Sequence, residues 1–422
     1  MEYLKKPETR LSETQANVTG AVLEIIQKIQ EQGDAALKEF ERKFDHYQGP
    51  LTIETAALEH AFESIPEETR NSILASIDNV RLFHRRQRML FHDFIEQPEK
   101  GISLGMKFNA VERAGIYVPG GRYPLPSSAV MTVVPAQEAG VSEICVCSPP
   151  SPQGYVHPLV LGTLYILGIK TVFALGGAQA IAAMAMGVSP VPKCDIIAGP
   201  GNAYVTEAKR QLFGTVGIDS LAGPSEVLII ADSSADPMAV ALDLIAQAEH
   251  DPLSRSVLFT TDKDLALSVA ENVDSMISRF PTGDIISLSW KNNGTILLGT
   301  LTEAVDFTNV YAPEHLQINT LAPETILSEC HSFGAAFLGP YCSVPFGDYI
   351  AGTNHVLPTN RSARFSSGLW TGTFIKAMTY VKLEPDQSSE LAAKGILLAE
   401  AEGLFGHAGS MRYRMDMREA AE

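Results

Sequence analysis

Two pairs of polar residues in this 422-residue chain have the types and the spacing that chemistry requires. Gln247 and His250 stand three residues apart where an apolar helical stretch ends, so their side chains share one helical face, as two ligands of one metal ion would. Glu314 and His315 follow a proline and set two acid/base groups side by side. Because neighbouring side chains of extended backbone point apart, this second pair suits two different proton transfers rather than one shared proton.

A third polar segment, residues 346–355, is a glycine-punctuated loop dense in Asp, Asn and His. Polar loops of this kind often carry binding and catalytic residues. Each of the three segments also has a structural interpretation when it is taken alone, since a histidine at a helix end is often a cap. Six other histidines have no polar neighbours that suggest a site, and we interpret them as structural or surface residues: His46, His60, His84, His92, His157 and His331.

Turns rich in glycine or proline follow four predicted strands, at residues 119–121, 148–150, 176–177 and 199–201, and a fifth turn, 223–225, precedes another strand. In an open parallel sheet, ligands bind beyond the carboxyl ends of the strands, and glycine lets the backbone approach them closely. None of the turns fits GxGxxG or a P-loop. Together they predict a cleft, but they do not by themselves name a dinucleotide.

The elements that must position these residues change character along the chain. Within the first hundred residues, apolar spacing predicts helices at 18–33, 35–44 and 67–87. Strands and helices then alternate about every 25 to 30 residues, which is typical of a parallel sheet covered by helices. The predicted strands form two series: 114–118, 143–147, 171–175 and 194–198, then 227–231, 257–261, 295–298 and 336–338.

This rhythm predicts two α/β domains and a helical tail. We divide the chain into an N-terminal arm (1–20), a discontinuous first α/β domain (21–112 and 227–368), a second α/β domain (113–226) and a C-terminal helical tail (369–422). After residue 366 the pattern weakens, and 389–403 is predicted to be one last amphipathic helix.

Composition restricts the partners and the compartment. The formal net charge of −17 argues against nucleic acid and against an anionic membrane surface. Residues 1–15 contain no apolar export segment, and no run of about 18 apolar residues could span a membrane. Five cysteines without a CxxC pair are interpreted as reduced core residues. We therefore expect a cytoplasmic protein that acts on a small molecule.

Nine segments resemble the histidinol dehydrogenase family in order and spacing, and the resemblance runs from about residue 20 to 412. They are 115–121 (GIYVPGG), 176–181 (GGAQAI), 199–202 (GPGN), 222–226 (AGPSE), 247–250 (QAEH), 312–316 (APEHL), 347–349 (GDY), 354–359 (NHVLPT) and 402–407 (EGLFGH). The resemblance implies a fold of two Rossmann-like, incomplete nucleotide-binding-like domains with parallel sheets and small helical N- and C-terminal extensions.

The resemblance also implies one zinc ion per subunit of a homodimer with shared active sites. Its ligands would be Gln247, His250 and Asp348, together with His407 of the partner subunit. Nitrogen and oxygen ligands with positions left open for substrate suit a catalytic zinc rather than a structural one.

The roles of the other site residues follow from the same resemblance. Glu314 and His315 are expected to be the acid/base pair, and Tyr117, Gln179 and Asn202 the contacts of NAD. The expected substrate-binding residues are Ser225, Gln247, His250, His315, Asp348, Glu402 and His407.

The implied reaction is the four-electron oxidation of L-histidinol to L-histidine through the aldehyde, with two NAD consumed. His315 would take the alcohol proton as hydride leaves, and Glu314 would then activate water on the aldehyde. In this family the zinc is thought to orient the substrate more than to act as a Lewis acid.

Departures from the family pattern leave the substrate open. Residues 342–346 (CSVPF) replace a stretch in which biosynthetic members often have Pro-Glu, Trp370 stands where a small residue is common, and Arg122 could pair with an acidic substrate group. A related dehydrogenase of a sulfonated diol, such as dihydroxypropanesulfonate, is therefore the alternative. A non-catalytic zinc-containing binding dimer is a remote third possibility, because none of the predicted site residues is lost.

Overall fold

The computed structural model describes residues 1–8, 15–120, 123–151 and 154–419. Its strands, in chain order, are β1 (Glu2–Lys5), β2 (Thr52–Glu54), β3 (Phe94–Glu96), β4 (Ile102–Ala110), β5 (Arg113–Tyr117), β6 (Glu143–Ser148), β7 (Thr171–Ala174), β8 (Ile196–Ala198), β9 (Gly217–Ile218), β10 (Glu226–Ala231), β11 (Arg255–Thr260), β12 (Thr295–Leu298), β13 (His315–Asn319), β14 (Ala335–Leu338) and β15 (Ile375–Leu383).

The helices of the described residues are α1 (Gln15–Gln32), α2 (Asp34–Phe44), α3 (Thr55–Ser64), α4 (Glu67–Arg88), α5 (Pro126–Ala139), α6 (Pro158–Ile166), α7 (Gly177–Met186), α8 (Ala203–Leu212), α9 (Pro237–Ala248), α10 (Lys263–Met276), α11 (Gly283–Asn293), α12 (Leu301–Tyr311), α13 (Pro323–Glu329), α14 (Val344–Tyr349), α15 (Pro385–Ala401) and α16 (Phe405–Glu419).

The first sheet has six strands in the order β1-β12-β11-β10-β13-β14, and only the edge strand β1 runs antiparallel. Alternate side chains of β10 enter different cores. Val227 and Ile229 pack with α9, α10 and α11, whereas Leu228 and Ile230 pack with α12 and α13. Burial on both faces explains why this strand is a continuous apolar run.

The second sheet has the order β2-β7-β6-β5-β8-β9, again with one antiparallel edge strand, β2. One face is covered by α1, α2, α7 and α8, whose apolar side chains form a single buried cluster with the strands. The predicted α/β fold with two parallel sheets is confirmed, and the predicted strands of both series are present, with bounds that differ by one or two residues.

The grouping of residues 21–112 differs from the predicted one. The sequence predicts that these residues form one domain with residues 227–368. Instead, α1 packs on α7 and α8, α3 packs on α6, and β2 pairs with β7 of the second sheet. The apolar spacing of a helix shows that one face is buried but does not show against which sheet. Both six-stranded sheets belong to one compact unit, formed by Met1–Arg88 and Val111–Phe374.

A second unit combines Met89–Ala110 with Ile375–Glu422. Its three-stranded antiparallel sheet has the order β15-β4-β3, and its helices α15 and α16 pack against each other through Ile396, Ala399 and Ala408. The sequence predicted a helical C-terminal tail, but the tail also contains the strand β15. The sequence does not predict β15, because eight of its nine residues are exposed and the strand lacks an apolar alternation.

The remaining predictions concern two short segments, the cysteines and the possibility of a membrane-spanning helix. Gly121 and Arg122, the latter considered above as a partner of an acidic group, lie outside the described residues, as do residues 9–14 of the predicted N-terminal arm. The five cysteines are free thiols, and four of them are buried, as expected. Among the described residues, no helix combines the length and apolarity needed to cross a membrane.

Candidate active site

The backbone of one residue, Glu226, organises the predicted acid/base pair. The Glu314 carboxylate oxygen Oε2 accepts hydrogen bonds from Ser225 Oγ at 2.7 Å and from the Glu226 backbone N–H at 2.9 Å. The His315 ring nitrogen Nδ1 lies 3.1 Å from the Glu226 carbonyl oxygen. Because a carbonyl oxygen only accepts, Nδ1 carries the proton of the neutral ring, and Nε2 keeps its lone pair.

This arrangement lies at the amino ends of the strands in the first sheet. Strand β10 begins at Glu226 and β13 begins at His315, and the two strands are parallel neighbours. Helix α9 follows β10 and runs back along the sheet, so its last turn, with Gln247, returns to the same edge. The glycine turns at 176–177 and 199–201 follow the carboxyl ends of β7 and β8 in the second sheet, where an open parallel sheet is expected to bind ligands, whereas this pair lies at the opposite ends of its own strands.

Glu314 and His315 lie closer together than extended backbone would place them. His315 Nδ1 is 3.6 Å from Glu314 Oε2, and both side chains reach the peptide of Glu226. Ala312 ends α12 in the left-handed conformation, with φ 50°, and the strand begins only at His315. Glu314 therefore precedes the regular strand, and the rule that adjacent side chains point apart does not apply to it.

Burial changes the acidity of both groups. Glu314 is 6% exposed, and the loss of hydration raises the pKa of its carboxyl to about 8, although the bonds from Ser225 and Glu226 act in the opposite direction. The loss of hydration also lowers the pKa of His315, which is 3% exposed, against the influence of Asp348. The imidazole is therefore held neutral, and the carboxylate becomes a stronger base than a solvated one.

The buried polar atoms without a hydrogen-bond partner in this region include two on predicted site residues. One is His315 Nε2, which lies 3.9 Å from Asp348 Oδ1. The other is Gln247 Oε1, although the amide nitrogen of Gln247 donates to Ser225 Oγ at 2.8 Å. Buried polar atoms are rarely left unpaired, so these two indicate the place of a ligand.

His250 lies just beyond α9, which ends at Ala248 rather than extending to His250 as the sequence predicted. The residue is exposed, and desolvation of its ring lowers its pKa. The charges of Asp348 and His315 also act on this pKa, in opposite directions. The predicted ligands Gln247, His250 and Asp348 thus gather at one edge of the sheet with His315.

These residues provide an incomplete set of metal ligands. No group of three or more His, Cys, Asp and Glu side chains that could hold a metal occurs among the described residues. Gln247, His250 and Asp348 offer the amide oxygen, imidazole and carboxylate types of donor that the resemblance implies for zinc. The remaining predicted ligand, His407, and the predicted substrate contact Glu402 belong to the second unit, where both side chains are exposed.

Sequence reasoning did not give a role to His355 or to the Glu226 side chain. His355 is half-buried, its Nδ1 donates to the Asp348 carbonyl at 3.0 Å, and desolvation lowers its pKa. The fully buried carboxylate of Glu226 lies 3.3 Å from Arg255 Nη1 and accepts from Tyr311 Oη at 3.2 Å. Glu226 directly follows Ser225, and a charged residue opening an apolar strand is the signal that could have revealed it.

The predicted NAD contacts lie at the carboxyl ends of the second sheet. Tyr117 ends β5, and its hydroxyl accepts from the N–H of Gly177, the first residue of α7. Gln179 is 2% exposed, and its amide nitrogen donates to Glu41 at 3.0 Å and to Asp45 at 3.3 Å. The Tyr117 hydroxyl and Gln179 therefore both lie at the start of α7, and both residues are buried.

Asn202, the third predicted NAD contact, is exposed and begins α8. Its Oδ1 accepts from the backbone N–H groups of Tyr204 and Val205 at 3.0 and 3.1 Å, which caps the helix. The turn before it packs closely against β5, so that a Cβ on Gly199 would collide with the Tyr117 carbonyl oxygen.

Comparison with known proteins decides the family. A family model described as histidinol dehydrogenase matches residues 8–415. This chain belongs to the histidinol dehydrogenase family. Family membership makes it an oxidoreductase of the dehydrogenase type.

Individual relatives match over nearly the whole length. The chain is 45% identical to the histidinol dehydrogenase of Methanocaldococcus jannaschii, covering 93% of this chain and 92% of the relative. It is 42% identical to that of Parasynechococcus marenigrum, covering 96% and 94%. The crystal structure of histidinol dehydrogenase from Elizabethkingia anophelis superposes with a TM-score of 0.90 at 34% identity, covering 98% of this chain and 94% of the other. The histidinol dehydrogenase fold is therefore shared along the chain.

Proposed function

We propose that this chain is a zinc-dependent, NAD-linked dehydrogenase that oxidises L-histidinol to L-histidine through the aldehyde, in the cytoplasm. The observation that carries the proposal is the buried pair Glu314 and His315, which bind the backbone N–H and the backbone carbonyl of one residue, Glu226. A two-step oxidation of an alcohol needs two proton acceptors with different tasks, and this geometry supplies them.

The first step removes a hydride and a proton from the alcohol. His315 presents an unprotonated Nε2, because its Nδ1 proton is engaged by the Glu226 carbonyl. Nε2 accepts the hydroxyl proton while the hydride leaves the same carbon for the first NAD, and an aldehyde is formed.

The second step adds water and removes another hydride. Glu314 takes a proton from water while the water oxygen bonds to the aldehyde carbon. The resulting hydrate then gives a hydride to the second NAD. The overall change is one alcohol, one water and two NAD converted to one carboxylate, two NADH and three protons. Burial that raises the pKa of Glu314 also increases its strength as a base for this step.

The donor types at the edge of the sheet support a zinc ion. Gln247, His250 and Asp348 would hold it together with His407 of a partner subunit in a homodimer. The unpartnered Gln247 Oε1 fits a metal-bound amide oxygen, and the incomplete ligand set of one chain fits a ligand supplied by another. When bound, the zinc supplies a positive centre that orients the substrate.

The charge of the site favours an amino alcohol over a sulfonated diol. The charges of Glu226 and Asp348 influence the titration of Glu314, those of Asp348 and Glu249 influence that of His250, and Arg255 is engaged by Glu226. An ammonium group on the substrate is stabilised in such surroundings, whereas a sulfonate is repelled.

A spectrophotometric assay tests the proposal. We expect NADH formation with L-histidinol, two NADH per substrate oxidised, and no comparable rate with dihydroxypropanesulfonate. Metal analysis should find about one zinc per subunit, as a single shared catalytic site implies. A faster reaction with the sulfonated diol would show that this diol, and not L-histidinol, is the substrate. If protein shown to contain zinc oxidises neither compound, the proposed activity is overturned.

A further inference from the structure

A buried ion pair lies outside the residues considered so far. Lys209 of α8 and Asp219 are joined by a 2.7 Å contact between Nζ and Oδ1, and their side chains are only 3% and 2% exposed. Charged side chains are almost never buried this completely without a specific set of partners. The position of this pair therefore requires an explanation.

The pair binds both ends of one residue, Gly199. Lys209 Nζ donates to the Gly199 carbonyl oxygen at 2.5 Å, and the Gly199 N–H donates to Asp219 Oδ2 at 2.7 Å. Gly199 has φ 122°, a conformation that L side chains rarely adopt, and it packs against the carbonyl of Tyr117. The residue opens the loop 199–202, which leads to Asn202.

The ion pair also fixes the beginning of the segment that reaches the acid/base pair. This segment, residues 219–226, connects the second sheet to β10 of the first. Its groups are held in turn: the Ala222 carbonyl accepts from Thr206 Oγ1, the Gly223 N–H donates to Thr359 Oγ1, and Ser225 Oγ and the Glu226 N–H donate to Glu314.

Stability alone is a weak reason for such an arrangement. A buried ion pair loses hydration on both ions, and apolar side chains of similar volume often serve the stability of a core as well or better. Here the hydrogen bonds of the two charges converge on the backbone N–H and carbonyl of Gly199 and on the Ser220 N–H. What the pair specifies is the conformation of the loop.

We propose that Lys209 and Asp219 are positioning residues that hold the loop 199–202 in the conformation that binds the dinucleotide. They act through Gly199, and neither touches the cofactor. The inference rests on the proposed function, because NAD is the ligand that Tyr117 and Asn202 are expected to contact.

The test compares the variants Lys209→Met, Asp219→Asn and the double variant with the wild-type protein. We measure the Kd for NAD by calorimetry, the thermal unfolding temperature and the zinc content. Each single variant leaves one buried charge without its partner, so both should unfold at a lower temperature. Lys209→Met should raise the Kd for NAD about tenfold or more, as expected when a hydrogen bond from a charged group is lost.

The double variant separates positioning from stability. It removes both charges, so its unfolding temperature should recover towards that of the wild type, while the Gly199 carbonyl stays unbound and NAD binding stays weak. If NAD affinity recovers together with the unfolding temperature, the pair is structural only and the proposal is wrong. The zinc content should equal that of the wild type in every variant.

A matched control uses an exposed pair with similar geometry. Lys38 and Asp34 are 3.0 Å apart and 61% and 55% exposed, so Lys38→Met should change none of the three measurements. If the wild-type protein does not bind NAD, the proposed function falls and the positioning role falls with it. If the wild type binds NAD and Lys209→Met binds it equally well, only the positioning role is overturned.

Discussion

At the scale of single residues, the site is organised by backbone as much as by side chains. The Glu226 backbone N–H donates to Glu314, its carbonyl accepts from His315, and Ser225 Oγ joins Glu314 to Gln247. The sequence indicated the chemistry of Gln247, Glu314 and His315 from residue type and spacing. It could not indicate the shared backbone partner, because Glu226 and Glu314 are 88 residues apart and meet only when β10 pairs with β13.

The division of labour between Glu314 and His315 gives a kinetic prediction. Glu314→Gln should keep part of the alcohol oxidation and lose more of the aldehyde oxidation, because only the second step activates water. His315→Ala should impair both steps by about 10²–10⁴, the usual effect of removing a positioned acid/base group.

Single-turnover NADH formation, started either from the alcohol or from the aldehyde, separates the two steps. Equal losses in both steps for Glu314→Gln would show that the glutamate is not specific to water activation. Full activity in His315→Ala would remove the proposed mechanism.

At the scale of elements, apolar periodicity identified most of the parallel strands and most of the helices between them. It did not identify β13, which carries His315, because its sequence HLQIN contains only two apolar residues. It also left β1, β2, β3, β4, β9 and β15 unrecognised. Exposure along β15 removes the alternation on which a sequence-based assignment depends.

One buried network joins three elements and carries a pH-dependent prediction. His84 of α4 is fully buried, with Nδ1 2.8 Å from Gln87 Oε1 and Nε2 3.4 Å from the Asn354 amide nitrogen. Asn354 in turn donates to the Met131 carbonyl of α5 at 2.6 Å. Burial lowers the pKa of His84 from 6.5 to about 4.

The sign of the effect follows from that shift. The folded-state pKa lies below the unfolded one, so the full stability is present above pH 6.5 and is lost as pH falls towards 4. The contribution approaches about 1.4 kcal/mol per pH unit within that window. His84→Gln should be less stable at pH 7 but should lose less free energy of unfolding between pH 7 and 4.5.

Urea titrations at the two pH values measure this difference. His331→Gln, at an exposed histidine, is the control and should keep the wild-type pH dependence. An unchanged pH dependence in His84→Gln would show that this histidine does not limit stability in acid.

At the scale of the whole molecule, the chain consists of two units, and the proposed zinc ligands are divided between them. Gln247, His250 and Asp348 belong to the first unit, and His407 belongs to the second. The sequence predicted a tail that serves the partner's site only through the family resemblance. No pattern in the 402–407 segment itself indicates which chain its side chains serve.

Mixing two inactive variants tests whether the sites are shared. His407→Ala and His315→Ala subunits, after exchange, should form heterodimers in which one of the two sites has both residues intact. With random pairing, about a quarter of the wild-type activity should return. No return of activity after verified exchange would show that each site is built from one chain. Mixing Glu314→Gln with His315→Ala is the control, because no pairing of these chains restores a complete acid/base pair.

The position of the proposed catalytic pair at the amino ends of its strands has a consequence for the field of the peptide dipoles. Helices α9 and α12 both finish beside this edge, at Ala248 and Tyr311. The last turn of a helix carries about half a negative elementary charge, which favours a nearby cation by about 0.3–1 kcal/mol. A protonated amine or a metal ion placed here is stabilised before any side chain is counted. Replacing the amino group of the substrate by a hydroxyl gives up this attraction, and no rearrangement of side chains can restore it, because its source is the backbone.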